Sequence, residues 1–320
     1  MQKGVFTISL DFELFWGVRD HRSLADYGAS ISKVHEIIPR LLTLFEKYGV
    51  HCTWATVGFL FHENKAALLS AMPTLLPEYV KKEYDPYGYI RENELAEEFH
   101  FAPDLIRSIA GCPGQEIATH TYSHFYTLEK NTDANQFRAD IKMAKEVASQ
   151  KGYSLQSIVF PRNQYGEEHI AICRELGVKV YRGNESSVVY KPLSRADEHL
   201  ARRAIRLVDA YLNLTGYHCH PFPGKEGIVN IPASRFLRPY HPRFKWLDHL
   251  KFKRIRKSLQ YAAANGLIFH LWWHPHNFGN HTEENFQFLE RILQVYKKLQ
   301  DDRTMESLTL NEIYDRSSGQ

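Results

Sequence analysis

Strand-like apolar runs alternate along this chain with stretches that carry apolar residues at helical spacing. Residues 5–10 (VFTISL) read as a buried strand. Residues 34–50 (VHEIIPRLLTLFEKYGV) put Ile37, Ile38, Leu41, Leu44 and Phe45 on one helical face, with Gly49 as a stop signal. A second strand is predicted at 51–61 (HCTWATVGFLF), and a broken helical pattern spans 92–109. Residues 116–124 (EIATHTYSH) form a short strand that feeds a loop, and 134–152 an amphipathic helix. Strand and loop follow at 157–166 (SIVFPRNQYG), a helix at 169–178 and a strand at 178–183 (VKVYRG). The series ends with a strand near 266–275 (GLIFHLWWHP) and an amphipathic helix over 284–300.

This β-α-β-α rhythm predicts parallel strands joined by right-handed crossovers. A length of 320 residues suits one α/β barrel. No repeat, low-complexity run or Pro/Gly/Ser linker divides the chain, so a single domain over 1–320 is expected. Its least regular parts, roughly 65–95 and 185–260, are expected to be insertions or long loops.

Composition is that of an ordinary globular protein, with 43% hydrophobic and 24% charged residues. A net charge of +3 is too weak to argue for a nucleic-acid partner. The four cysteines, Cys52, Cys112, Cys173 and Cys219, are far apart and form no CxxC pair, which reads as reduced structural thiols. No transmembrane run and no secretory leader are visible, so a cytoplasmic location is expected. One stretch, 235–257, is locally basic. It reads first as a solvated helix face, and second as a contact for a phosphate-bearing glycan carrier or an anionic membrane.

Reactive side chains collect where strands end, as they do in α/β barrels. The first strand ends in Asp11 and Glu13, the third in His120 and His124, the next in Arg162 and Tyr165, and the last in His270, His274 and His276. Two imidazoles and a carboxylate are a common three-ligand set for a catalytic metal. A hydrolase that activates water with a metal needs one acid to hold the ion and another to take the proton. Which of Asp11 and Glu13 does which is left open by the residues alone. Phe15, Trp16, Trp54, Trp272 and Trp273 lie near these strands. Trp16 and Trp273 are the candidates for a sugar-stacking wall. His218, His220 and His276 read as loop histidines.

The motifs together resemble the polysaccharide deacetylase family, the NodB-homology domain of carbohydrate esterase family 4. His120-Thr121-Tyr122-Ser123-His124 is similar to its H-[S/T]-x-x-H motif, Arg162-Asn163-Gln164-Tyr165-Gly166 to its R-x-x-Y-G motif, and Leu271-Trp272-Trp273-His274 to its L-x-x-H motif. Asp11-Phe12-Glu13 departs from the adjacent aspartates of the first motif. The resemblance implies a distorted (β/α)7–8, TIM-like barrel and a metal-dependent N-deacetylase acting on an amino sugar or glycan. It implies a divalent ion, zinc first and cobalt, nickel or iron otherwise, held by Glu13, His120 and His124. It implies Asp11 as general base, Arg162 as the base's partner, the Tyr165 N–H as oxyanion donor and His274 as general acid. Asp209 is the poor but only candidate for the acid that tunes His274. The alternatives are another linear C–N hydrolase on this fold, deformylase or allantoinase-like, and a non-catalytic carbohydrate-binding barrel. A binding module would need neither base nor acid, so the retained set speaks against the last.

Overall fold

The computed structural model describes residues 2–193, 199–224 and 227–317. Nine strands form one sheet: β1 (Gly4–Phe12), β2 (Cys52–Thr56), β3 (Gln115–Thr119), β4 (Ser157–Val159), β5 (Val180–Arg182), β6 (Val229–Asn230), β7 (Arg235–Phe236), β8 (Ile268–Trp273) and β9 (Met305–Ser307). Their order is β6-β5-β4-β3-β2-β1-β8-β7, with β9 on β1, and every pairing between them is parallel. β9 pairs with Gly4–Phe6, just before β2 takes over the same edge at Ile8.

The sheet is curled, and one short stretch joins its two ends. Val229, Ile231 and Ala233 donate to the carbonyls of Lys179, Tyr181 and Gly183 beside β5, whereas Ser234 and Leu237 donate to His270 and Trp272 of β8. Residues 229–237 thus complete the distorted (β/α) barrel expected from the rhythm of the chain. They lie inside the stretch 185–260, which was expected to be an irregular insertion. That stretch also supplies the helices Leu200–Asp209 and Asp248–Asn265. Two-residue strands held by backbone hydrogen bonds carry too few positions to show a hydrophobic period. The other expected insertion, 65–95, holds the short helices Lys65–Ser70 and Pro86–Glu92.

β1 is buried along its whole length. Its alternation sorts the residues into two faces. Phe6, Phe12 and their neighbours pack outward, with Phe6 against Tyr296 of the helix Thr282–Asp301 and Phe12 against Trp54. Phe45, on the helix Val34–Tyr48, covers Trp54 and Trp273. Ser9 and Asp11 turn the other way, toward Arg182 of β5 and His270 of β8. A barrel interior with polar groups on this face explains how a carboxylate can end the first strand. Among the described residues no helix is long and apolar enough to cross a membrane.

Candidate active site

The two acids part company at the end of β1. Asp11 is the last inward residue of the strand, whereas Glu13 lies beyond it with φ −132° and ψ −11°, where the chain bends into a short 3-10 turn, Leu14–Gly17. The bend aims Glu13 at β3's loop. Its Oε2 lies 3.4 Å from His120 Nε2 and 3.1 Å from His124 Nε2. Gly17 leaves room for it: a Cβ there would sit 1.9 Å from the Glu13 carboxyl carbon.

Both histidines are held from outside the cluster. His120 Nδ1 is 2.8 Å from the Val159 carbonyl, which fixes the ring with Nε2 toward Glu13. The loop between the histidines is bent sharply, with φ of +64° at Thr121 and +59° at His124. A β-branched residue in that region is an outlier that its surroundings must enforce. Here Asp140, on the helix Ala134–Gln150, accepts from the Tyr122 N–H at 2.6 Å, the Ser123 N–H at 3.1 Å and the Ser123 hydroxyl. Thr121 Oγ1 accepts from the Phe125 N–H at 2.7 Å.

The donor set fits a divalent ion. Glu13, His120 and His124 each offer one ligand atom, all within 4.8 Å of one another. Ligand atoms about 2.0–2.1 Å from a tetrahedral ion stand roughly 3.4 Å apart, close to the 3.4 and 3.1 Å from Glu13 to the two histidines. His120 Nε2 is buried and makes no hydrogen bond. Burial pushes the His124 pKa down to about 4, which leaves a neutral imidazole at pH 7. Burial by itself would raise Glu13, but His274, His120 and His124 together hold its carboxyl well below the usual range. Neutral imidazoles and an ionised carboxylate are the protonation states that metal binding requires.

Asp11 is held differently. Arg182 grips both its oxygens, at 2.7 and 2.8 Å, and also reaches Ser9 Oγ and Asn163 Oδ1 at 2.9 Å each. Burial opposes the charge, yet Arg182 leads the set of cations that keep the Asp11 carboxyl below its ordinary pKa. The pairing expected of Arg162 is therefore made by Arg182. Arg162 instead bridges Asp20 and Glu129, and lies 3.7 Å over the Tyr126 ring. Its own φ is +56°, followed by +53° at Asn163; its side chain goes to Asp20 and Glu129 while Asn163 reaches Arg182. Arg182 ends a strand in VYRG, so the rule that strand ends carry chemistry was the signal that could have found it.

His274 completes the group. Its Nε2 lies 3.7 Å from Asp11 Oδ2 and 3.6 Å from Glu13 Oε1. Nδ1 faces Asn277 Oδ1 at 3.3 Å, and the ring stacks on His276 at 5.0 Å. His276, expected to be a loop histidine, is buried with Nδ1 4.0 Å from Glu13. Asp209, expected beside His274, is instead the hub of a buried cluster with Arg235 at 2.7 Å and Arg254 at 3.5 Å.

The expected aromatic walls are also core. Trp16 is fully buried, donates to the His100 carbonyl at 2.8 Å and packs on Phe59. Trp273 faces Phe45 and Phe278 outside the barrel. Its neighbour Trp272, one residue away and so on the opposite face, borders the cavity beside His274 with Arg182 4.3 Å over its ring. Tyr165 packs its ring on Phe160 and Tyr181, which leaves its backbone, not its phenol, as the group to consider at the site.

A family model described as polysaccharide deacetylase matches residues 25–181. That span includes His120, His124, Arg162 and Tyr165, and leaves Asp11, Glu13, Arg182 and His274 outside it. No curated protein matches the chain. Among solved structures, a protein described as a candidate polysaccharide deacetylase from Mycobacterium smegmatis is 15% identical, with a TM-score of 0.59 over 99% of this chain and 91% of that one. One described as a probable polysaccharide deacetylase from Pseudomonas aeruginosa PAO1 is 13% identical, with a TM-score of 0.54 over 97% and 89%. A PuuE allantoinase is 11% identical, with a TM-score of 0.53 over 97% and 88%. At these identities the structural likeness speaks for the shared fold alone. The family model and the fold agree: residues 25–181 match the polysaccharide deacetylase family, and the chain is similar in fold to proteins described as its members.

Proposed function

We propose that the protein is a metal-dependent hydrolase that removes the N-acetyl group from an amino sugar or glycan precursor. One observation carries this reading: a buried Glu13–His120–His124 set stands beside an Arg182-held Asp11 and within 4 Å of His274. Glu13, His120 and His124 would hold a divalent ion, zinc or a neighbour such as cobalt, nickel or iron. When bound, that ion would supply Lewis-acid polarisation of the amide carbonyl and a lowered pKa for a water.

The chain's own residues account for the proton traffic. Asp11 accepts a proton from the attacking water. Arg182 keeps it ionised and, by binding both oxygens, fixes its plane. The Tyr165 N–H is the donor we assign to the developing oxyanion. His274 delivers a proton from Nε2 to the departing amine, which is a poor leaving group without one. Asn277 Oδ1 accepts from the Nδ1–H, so the proton that His274 delivers is the one its doubly protonated ring carries on Nε2. Trp272 offers an aromatic face to the sugar.

The test is product analysis with added Zn²⁺ or Co²⁺ on N-acetylated amino sugars and short oligomers. Acetate release supports the reading. Formate from an N-formyl sugar without acetate shifts it to the deformylase alternative. No release of either, together with no bound ion, overturns both.

A further inference from the structure

A cavity of about 310 Å³ opens beside His274 and Trp272, and its lining carries cations that the proton transfers above do not use. Arg235 is 4% exposed. Its Nη1 is taken by the side chain and carbonyl of Asp209, at 2.7 and 3.0 Å. Its Nε and Nη2 are buried and make no hydrogen bond. Arg238 borders the same cavity, and among the described residues no carboxylate pairs with it. Arg206 adds a third guanidinium to the lining. Burial holds the Arg238 pKa below its ordinary value, and the charges of Arg206 and Arg235 push the same way. Among the described residues Glu185 is the one acid in this lining, and burial raises its pKa.

Buried guanidinium donors without partners are costly, and like charges crowded together add to the cost. An anion in the cavity relieves the second. The guanidinium fork matches phosphate oxygens two at a time. In the same lining, Phe236 and Trp272 pair at 4.7 Å and give an apolar patch of the kind that sugar rings stack on. The volume is at the small end of ligand pockets, which fits one sugar unit and not a chain.

We propose that this cavity binds a phosphoryl group on the substrate, which makes the substrate a phosphorylated N-acyl amino sugar and not a neutral glycan; this rests on the deacetylase reading for the bond that is cleaved. The phosphoryl group could be carried by a soluble nucleotide or by a lipid. The helix Leu200–Asp209, which contributes Arg206, leaves Leu200, Leu207 and Val208 exposed, so both carriers belong in the test.

Calorimetry on the metal-loaded full chain should find N-acetylglucosamine 1-phosphate bound at least tenfold more tightly than N-acetylglucosamine, with the difference shrinking as salt rises. Arg238→Gln should remove at least tenfold of that affinity with melting temperature and metal content unchanged. Arg235→Lys, which keeps a charge for Asp209 but loses the fork, should weaken the phosphosugar and not the neutral sugar. Equal affinity for the two sugars, or no effect of either variant, overturns the proposal. Acetate released from neutral oligomers as fast as from the phosphosugar also overturns it, while leaving the deacetylase reading intact. Arginine-dependent phosphosugar binding without acyl release does the reverse. Displacement of the probe by uridine diphosphate N-acetylglucosamine in solution, or by vesicles bearing a polyprenyl phosphate-linked N-acetylglucosamine, identifies the carrier. Displacement by neither counts against the site.

Discussion

At the scale of single residues, the two carboxylates and the groups that hold them define what the site can do. Asp11 and Glu13 are two residues apart, yet one is gripped by an arginine and the other by two histidines. Asp11→Asn should cut turnover by roughly a thousandfold, within the usual span for a general base, and leave the metal stoichiometry unchanged. His120→Ala should lose the metal, read by elemental analysis of the purified protein. Arg182→Met leaves the Asp11 charge buried and unpaired, so it should cost about 3–5 kcal/mol in denaturant unfolding. Asp11→Asn made on that background should recover part of the loss, because the stranded charge is then gone. Gly17→Ala drives a methyl into the Glu13 carboxylate. It should lower metal affinity with only a modest change in secondary structure by circular dichroism.

At the scale of elements, the loop between β3 and the helix Ala134–Gln150 is the part on whose shape the proposed metal set depends. Asp140 holds it from the helix by three hydrogen bonds. Burial pushes its carboxyl up to about 6, against hydrogen bonds that act the other way. The folded protein therefore binds this proton more readily than the unfolded chain, whose aspartate titrates near its ordinary value of 3.8. The contribution of this group to stability is fully present below pH 4, falls as pH rises toward 6 and is flat above that. Asp140→Asn should remove that fall, read as urea midpoints from pH 4 to pH 7. It should also loosen the metal, because the amide cannot accept all three bonds. A variant that kept the slope and the metal affinity of the parent would refute the brace.

At the scale of the whole molecule, the site is assembled from β1, the loop after β3, the end of β5 and the turn after β8. These elements are distant in sequence; β1 pairs directly with β8 and lies one strand from β3, and residues 229–237 bring β5 round to β8. A ligand that binds these elements together stabilises the closed barrel. At a free metal concentration a hundred times Kd the gain is about 2.7 kcal/mol. Chelation should therefore lower the melting temperature by several degrees, and added Zn²⁺ should restore it. The chelator should have no effect on His120→Ala.

The chain by itself determined a great deal. Helical and strand periods marked most of the long elements, because burial on one face repeats at 3.6 or 2 residues whatever the partner. The motif spacings brought Asp11, Glu13, His120, His124 and His274 forward, because a metal set and its proton relays need those residue types at strand ends. Three things belonged to the tertiary structure alone. Arg182 and not Arg162 meets Asp11, because through left-handed backbone at Arg162 and Asn163 the arginine goes to Asp20 and Glu129 and the asparagine goes to Arg182. Trp272 and not Trp16 or Trp273 faces the cavity, because adjacent strand residues point to opposite faces and the face depends on register. The basic stretch 235–257 divides between exposed and buried charges, with Arg235, Lys251 and Arg254 inside. A sequence shows that charges are clustered. Only the packing around Asp209 decides which of them are paired, and which are left facing a cavity.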